Sequence, residues 1–191
     1  MTIIRELFSK DQGITKQDVE NLTGKVQETF DIECKLVPDK VTKDQKEDMI
    51  IKPVIGFLNK IDNTGGLLIL GAQAPKELIE RIKPFSVGLL SQSQVVDVIK
   101  GNVAPIPFST NSFTLNVQSV SYENSMQVIL VEVGKNDSKT FYYSKFSNTS
   151  YERKGQSTEK LEISELFRRV EFNRTAKVYM EVVNEGVENL E

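Results

Sequence analysis

Alternation of hydrophobic and polar positions predicts most of the strands. Residues 30–37 alternate cleanly, as do residues 113–122 and 127–133, and this period of two is typical of strands with one buried face. The last two segments flank a short turn, so we expect them to form a hairpin. The run Leu67–Leu70 does not alternate, which indicates a strand covered on both faces. Two further short strands are expected at 140–145 and 150–153.

Apolar residues spaced three and four positions apart predict the helices. The longest begins at Thr42 and reaches about Ile61, and Pro53 predicts a kink or a fresh start near Lys52 because proline removes a backbone hydrogen bond. Shorter helices are expected at 2–9, 15–27, 75–82, 92–100, 161–169 and 175–187. The order of elements predicts an α+β fold, with a mixed, largely antiparallel sheet of about six strands and helices packed against it.

Length and composition are those of a single globular domain. The 191 residues are 39% apolar and 27% charged, and such a chain buries enough surface to fold without disulfides or metals. We place the domain at residues 1–172 and an acidic, helical C-terminal tail at 173–191. One side of this tail is apolar, and it either packs on its own domain or forms a dimer contact. The apolar side consists of Tyr179, Val182, Val183 and Val187.

Missing residue types exclude several kinds of chemistry. The chain has no histidine and a single cysteine, Cys34, which excludes imidazole catalysis, histidine-ligated metals, intrachain disulfides and cysteine-bound metal clusters within it. The N-terminus lacks a signal-peptide pattern, and no apolar run approaches the ~20 residues of a membrane span. We expect a cytoplasmic protein without membrane contact, whose chemistry relies on carboxylates, amines, hydroxyls and backbone amides.

The net charge of −3 is unevenly distributed. Residues 178–191 contain four glutamates and no cation, so residues 1–177 carry 24 cations against 23 acids. Residues 145–177 hold eight lysines and arginines against five glutamates. A net negative charge argues against nucleic-acid binding, but this basic segment weakens that argument.

A first motif lies at the beginning of the chain's first strand. Glu33 and Lys35 share one face of that strand, and Glu28 comes just before it. Two carboxylates can hold Mg²⁺ or Mn²⁺, which activates water, and a lysine beside them can steady a scissile phosphate. The alternative is a solvated strand face that carries a Glu–Lys pair.

A second motif, Asn63-Thr64-Gly65-Gly66, connects the long helix to the buried strand. Paired glycines permit both tight turns and the close approach of a ligand. The segment is therefore either a phosphate cradle or an ordinary helix-to-strand turn. It is not a Walker loop, because no Gly-Lys-Ser/Thr follows.

A third motif, at residues 150–158, combines an aromatic ring, cations, a glycine and hydroxyls ahead of a predicted helix. Tyr151 can stack on a base, and Arg153 and Lys154 can neutralise phosphates. The alternative is a surface loop in which Thr158 caps the helix. Further candidate contacts to nucleic acid are Lys35, Lys145, Arg168 and Arg169.

Taken in order, the three motifs resemble the AlbA-type domain of the Schlafen family. The resemblance covers about residues 25–170. It implies the α+β lobe of that family, nucleic-acid binding and, in Schlafen proteins, metal-dependent endoribonuclease activity on tRNA and rRNA through three acidic residues. It is carried by Glu28, Glu33 and Lys35, by residues 63–66 with the strand that ends at Gly71, and by residues 151–158.

The resemblance assigns two of the three acids, Glu28 and Glu33, as metal ligands. The third is expected just after the buried strand, where this chain has Gln73. Two acids that could replace it are Asp31 and Asp62. Schlafen proteins build a channel from two such lobes in one chain, and this chain has room for one, so the resemblance predicts a homodimer.

Three functions are therefore open. The first is an endoribonuclease on structured RNA such as tRNA, with Mg²⁺ or Mn²⁺ held by Glu28 and Glu33 and with Lys35 at the scissile phosphate. The second is a non-catalytic DNA- or RNA-binding module that lost its third acid. The third is a protein-interaction domain. The first two functions differ in whether catalysis is retained with Gln73 in place of the third acid.

Overall fold

The computed structural model describes residues 2–60, 64–75, 78–106, 113–134, 140–162 and 164–169. Its α+β class is the predicted one. The strands are β1 (Ile32–Lys35), β2 (Gly66–Leu70), β3 (Ala72–Gln73), β4 (Arg81–Ile82), β5 (Phe85–Ser86), β6 (Val103–Ile106), β7 (Thr114–Tyr122), β8 (Met126–Gly134), β9 (Phe141–Ser144), β10 (Thr149–Lys154) and β11 (Ser157–Leu161). The helices are α1 (Ile3–Phe8), α2 (Lys16–Glu20), α3 (Lys43–Lys46), α4 (Lys52–Leu58) and α5 (Gln92–Asn102), and the π-helical turn Glu47–Ile51 joins α3 to α4.

Two sheets form the frame of the molecule. A five-stranded sheet has the order β1-β2-β8-β5, and β7 pairs along the full length of β8. Within it β1 and β2 are parallel and the other pairs are antiparallel. A four-stranded antiparallel sheet has the order β11-β10-β9-β6, and β3 pairs with β4 as a small hairpin. The strands expected in one sheet are thus divided among these units.

The five-stranded sheet has an apolar core on each face. Leu68 and Leu70 pack in one core with α4 and α5, and Leu67 and Ile69 pack in the other with α1 and α2. All residues of β2 are buried, as its unalternating sequence predicted. Because β1 runs in register with β2, Glu33 and Lys35 lie on the α4 face.

The long predicted helix is confirmed, with its irregularity next to Pro53. It begins after Thr42, whose hydroxyl caps α3 by accepting the Gln45 N–H. In a regular helix the Pro53 ring would clash with the carbonyl of Met49. The wider π-helical turn Glu47–Ile51 lies directly before this proline.

The helix predicted at 75–82 is wrong. In its described part, residues 78–82 are extended: Arg81 and Ile82 form β4, which pairs with β3, and Leu78 forms an isolated bridge with Gln27. A few apolar residues are spaced as in a helix here, but backbone hydrogen bonds to other segments of the protein favour an extended conformation. One of them joins Ile79 N to Val26 O at 2.9 Å.

Two other helix boundaries differ from the prediction. Leu161 ends β11, so the helix predicted over 161–169 is confined to residues 164–169 in the described chain, and the helix predicted at 15–27 is confined to Lys16–Glu20. The tail predicted at 173–191 lies outside the described residues. No helix in the described ranges is long and apolar enough to cross a membrane.

Candidate functional site

Glu33 lies where β1 of the larger sheet meets β10 and β11 of the smaller one. The residue is only 5% exposed. Its Oε2 accepts hydrogen bonds from the Arg153 guanidinium and, at 3.2 Å, from the Thr158 hydroxyl. Its Oε1 lies 2.8 Å from the Lys35 ammonium. Both carboxylate oxygens are therefore held by donors of the protein itself.

Arg153 joins the two sheets through this carboxylate. Its side chain is fully buried, and its Nη2 donates to the carbonyls of Thr29 at 2.8 Å and Ile32 at 3.1 Å. The guanidinium lies 5.2 Å from the centre of the Phe57 ring. Burial lowers the pKa of Arg153, while the charge of Glu33 opposes this, and a guanidinium remains charged under such conditions. Arg153 is thus a buried counter-ion, and not the solvent-facing phosphate contact that its loop composition suggested.

Glu28 lies beside the same strand. Its Oε1 accepts the backbone N–H of Cys34 at 2.5 Å, which satisfies a donor on the outer edge of the sheet. Burial raises the pKa of Glu28, and the nearby charge of Glu33 raises it further. Glu28 thus lies beside the strand that carries Glu33.

Asp31, one of the two acids that could replace the missing third one, is engaged elsewhere. It forms an ion pair with Lys60, whose side chain is fully buried. Lys60 Nζ also donates to the Thr64 hydroxyl at 2.5 Å and to the Gly65 carbonyl at 2.8 Å. These contacts fasten the turn between α4 and β2, so the described part of the predicted phosphate cradle serves as a structural turn. Outside the described residues lie Asp62 and Asn63.

Gln73 occupies the position at which the third acid was expected. Its Oε1 accepts a hydrogen bond from Arg81 Nη2 at 2.9 Å, and the two residues are direct cross-strand partners in the β3–β4 hairpin. Arg81 is exposed. The sequence pattern did not reveal it, because a helical reading of residues 75–82 places it away from Gln73.

Three further predicted contacts lie on β10 or in the turn before it. Lys145 is exposed in the turn between β9 and β10. The Tyr151 hydroxyl donates to the buried Glu47 at 3.1 Å, and burial raises the pKa of Tyr151. Lys154 forms an exposed pair with Glu159 at 3.2 Å across the β10–β11 hairpin.

Arg168 and Arg169 lie on the opposite side of the smaller sheet. Arg169 Nη1 is 2.6 Å from Oε1 of the buried Glu152, and alternation along β10 points Glu152 away from the side of Arg153. Hydrogen bonds from Arg168 and Arg169 lower the pKa of Glu165 to about 2. The two arginines are thus partly neutralised and do not extend the surface around Lys35.

The side chains around Glu33 are a poor set of ligands for a divalent cation. Mg²⁺ and Mn²⁺ require several available oxygen ligands, but both oxygens of Glu33 accept hydrogen bonds and Glu28 holds a backbone amide. The fixed cations Arg153 and Lys35 would also repel a metal ion at this carboxylate. Within the ranges the structure describes, no three acidic or cysteine side chains are grouped to share an ion.

Comparisons with known proteins point to one family. A family model described as Schlafen, AlbA_2 matches residues 28–162. No curated protein matches the chain. Among solved structures, the DIP2311 protein from Corynebacterium diphtheriae is similar with a TM-score of 0.46 and 14% identity. The match covers 83% of this chain and 29% of that one, so this chain spans less than a third of that protein.

Proposed function

Because the chain belongs to the Schlafen AlbA_2 family, which indicates nucleic-acid binding, we propose that it binds the phosphodiester backbone of structured RNA without cleaving it. One observation supports the second half of this proposal. Glu33, one of the two acids available for catalysis, is bound by Arg153, Thr158 and Lys35. A carboxylate held in this way positions cations, and a metal ion would have to compete with Arg153 and Lys35 for it.

Lys35 is the residue of this site through which binding would take place. Its side chain is 38% exposed although its ammonium is paired with Glu33. A paired lysine keeps further donors free for a phosphate oxygen, because an ammonium group has three N–H bonds. The charge of Glu33 is shared with Arg153, so Lys35 is only partly neutralised.

Incubation with total tRNA tests this proposal. We expect the protein to retard the RNA in a native gel, and to retard it less as salt is raised, because binding releases cations from the backbone and added salt makes that release less favourable. On a denaturing gel the RNA is expected to stay intact with Mn²⁺, with Mg²⁺ and with EDTA alike.

Two outcomes would contradict the proposal in different ways. Cleavage that requires Mn²⁺ and is lost in Glu28→Gln would show a nuclease. A chain that binds neither RNA nor DNA at low salt would be a protein-interaction domain. RNA and DNA of the same sequence, compared in the native gel, distinguish the two nucleic acids.

The metal-dependent endoribonuclease is the second candidate, and one observation favours it. Burial raises the pKa of Glu28 and the nearby charge of Glu33 raises it further, and such a like-charge effect is expected for two carboxylates that share a site. This function would require Arg153 and Lys35 to leave Glu33. The Mn²⁺ arm of the tRNA experiment decides between the two candidates.

We also propose a homodimer and a cytoplasmic location. A symmetric second lobe would provide the opposite wall of a groove for RNA, and the lone, buried and unpaired Cys34 suits a reducing compartment. Light scattering of the purified protein is expected to give twice the chain mass of 21.6 kDa. A mass equal to one chain across the working concentration range would contradict the dimer.

A further inference from the structure

The β3–β4 hairpin places Gln73 and Arg81 on the same side as Glu33 and Lys35. Ala72 and Ile82 pair with each other and pack in the core on the α1–α2 face. Successive side chains of a strand point to opposite sides, so the neighbouring pair Gln73 and Arg81 points the other way. That is the side of the sheet to which β1 directs Glu33 and Lys35.

The hairpin is also next to Lys35 along the backbone. Gly71, between β2 and β3, donates its N–H to the Lys35 carbonyl at 2.8 Å. Gly71 in turn accepts from Lys83 N at 2.7 Å, which ties the strand of Arg81 to the same point. Long side chains from these neighbouring positions can therefore contact one ligand.

The amide of Gln73 changes the charge of this surface. It orients Arg81 through a neutral acceptor at 2.9 Å, whereas an acid at this position would form an ion pair with the guanidinium. Among the described residues, the charged groups here are the acids Glu28, Asp31 and Glu33 and the cations Lys35, Lys60, Arg81 and Arg153. With Gln73 the cations exceed the acids by one, and with an acid there they would be equal. The flanking Glu80 and Lys83 cancel one another.

We propose that Lys35 and Arg81 form a phosphate-binding pair for a nucleic-acid backbone, and that Gln73 positions Arg81 without neutralising it. The replacement of an acid by Gln73 then turns a metal-ligand position into part of a binding surface. Arginine suits this role because its planar guanidinium can bind two phosphate oxygens at once. This inference rests on the proposed binding function and specifies the residues that perform it.

The test compares Arg81→Gln with the matched variant Arg5→Gln, which removes an exposed arginine from α1 on the opposite face of the sheet. Fluorescence anisotropy of a labelled 20-base-pair RNA duplex and of the matched DNA duplex measures affinity from low to high salt. Losing one phosphate contact is expected to lower affinity about five- to eightfold at 0.1 M salt and to reduce the salt slope by about 0.7–0.9. Arg5→Gln should bind as the wild type does.

Gln73→Glu provides the second arm, because it keeps Arg81 in place but neutralises it. We expect Gln73→Glu to weaken binding, as Arg81→Gln does. An unchanged midpoint of thermal unfolding would show that its fold is intact. If the wild type binds, and Arg81→Gln and Gln73→Glu bind as tightly as the wild type, the phosphate-binding pair is refuted and the proposed function stands. If the wild type binds neither oligonucleotide nor tRNA at low salt, the proposed function itself fails.

Discussion

Replacing Arg153 with methionine is expected to lower the free energy of unfolding by about 3–5 kcal/mol, because it leaves the buried carboxylate of Glu33 without its main counter-ion. The side chain of Arg153 is fully buried and that of Glu33 is 7% exposed, so water cannot take over the lost contacts. The substitution also removes the hydrogen bonds that Arg153 donates to the carbonyls of Thr29 and Ile32. Denaturation in urea, followed by circular dichroism, measures the change.

Lys154→Met is the matched control in the next position of the same strand. Lys154 pairs with Glu159 at 3.2 Å, but both side chains are more than half exposed, and such surface pairs contribute at most about 1 kcal/mol. The double variant Glu33→Gln/Arg153→Met removes both charges and is expected to be more stable than Arg153→Met alone. Equal stability of Arg153→Met and Lys154→Met would show that the buried pair does not hold the sheets together.

The strands that the sequence predicted well are those with a simple relation to the core. The hairpin of β7 and β8 forms where it was predicted, but the expectation of a single buried face for residues 127–133 is wrong, because β8 packs in the cores on both faces of the sheet. β2 does not alternate, because both of its faces are covered. The helix predicted at 75–82 is wrong because the described residues 78–82 depend on contacts from elsewhere in the chain. Their extended conformation is decided by backbone hydrogen bonds to Val26 and Gln73, and a local sequence pattern does not reveal such partners.

The candidate site likewise contains one part that a local sequence pattern predicts and one part that it does not. Glu28, Glu33 and Lys35 lie within eight residues of one another, so the geometry of one strand was enough to bring them together. Arg153 follows Glu33 by 120 positions, and only the packing of one sheet against the other shows that they form a pair. Its neighbours in the sequence are polar, which is why the local composition suggested a solvent-exposed loop.

Gly65 is the residue whose substitution by alanine should disturb the turn behind this site most. Its φ of +78° is a conformation that side chains disfavour, and an added Cβ would lie 2.1 Å from the carbonyl oxygen of Val133. The left-handed backbone costs about 1–2 kcal/mol and relief of the clash about 1–3 kcal/mol more. The Gly65 carbonyl also accepts from Lys60 at 2.8 Å, so a shifted turn would weaken that contact as well.

Gly155→Ala separates the two contributions. Gly155 has a φ of +61°, but a Cβ there meets nothing within 4 Å, so only the backbone cost of about 1–2 kcal/mol is expected. In urea denaturation, Gly65→Ala should therefore be less stable than Gly155→Ala by roughly the clash energy of 1–3 kcal/mol. Equal losses in the two variants would mean that β8 moves aside at no cost. In that case the turn after α4 would not be the rigid support that holds Asp31 and Lys60 in place beside β1.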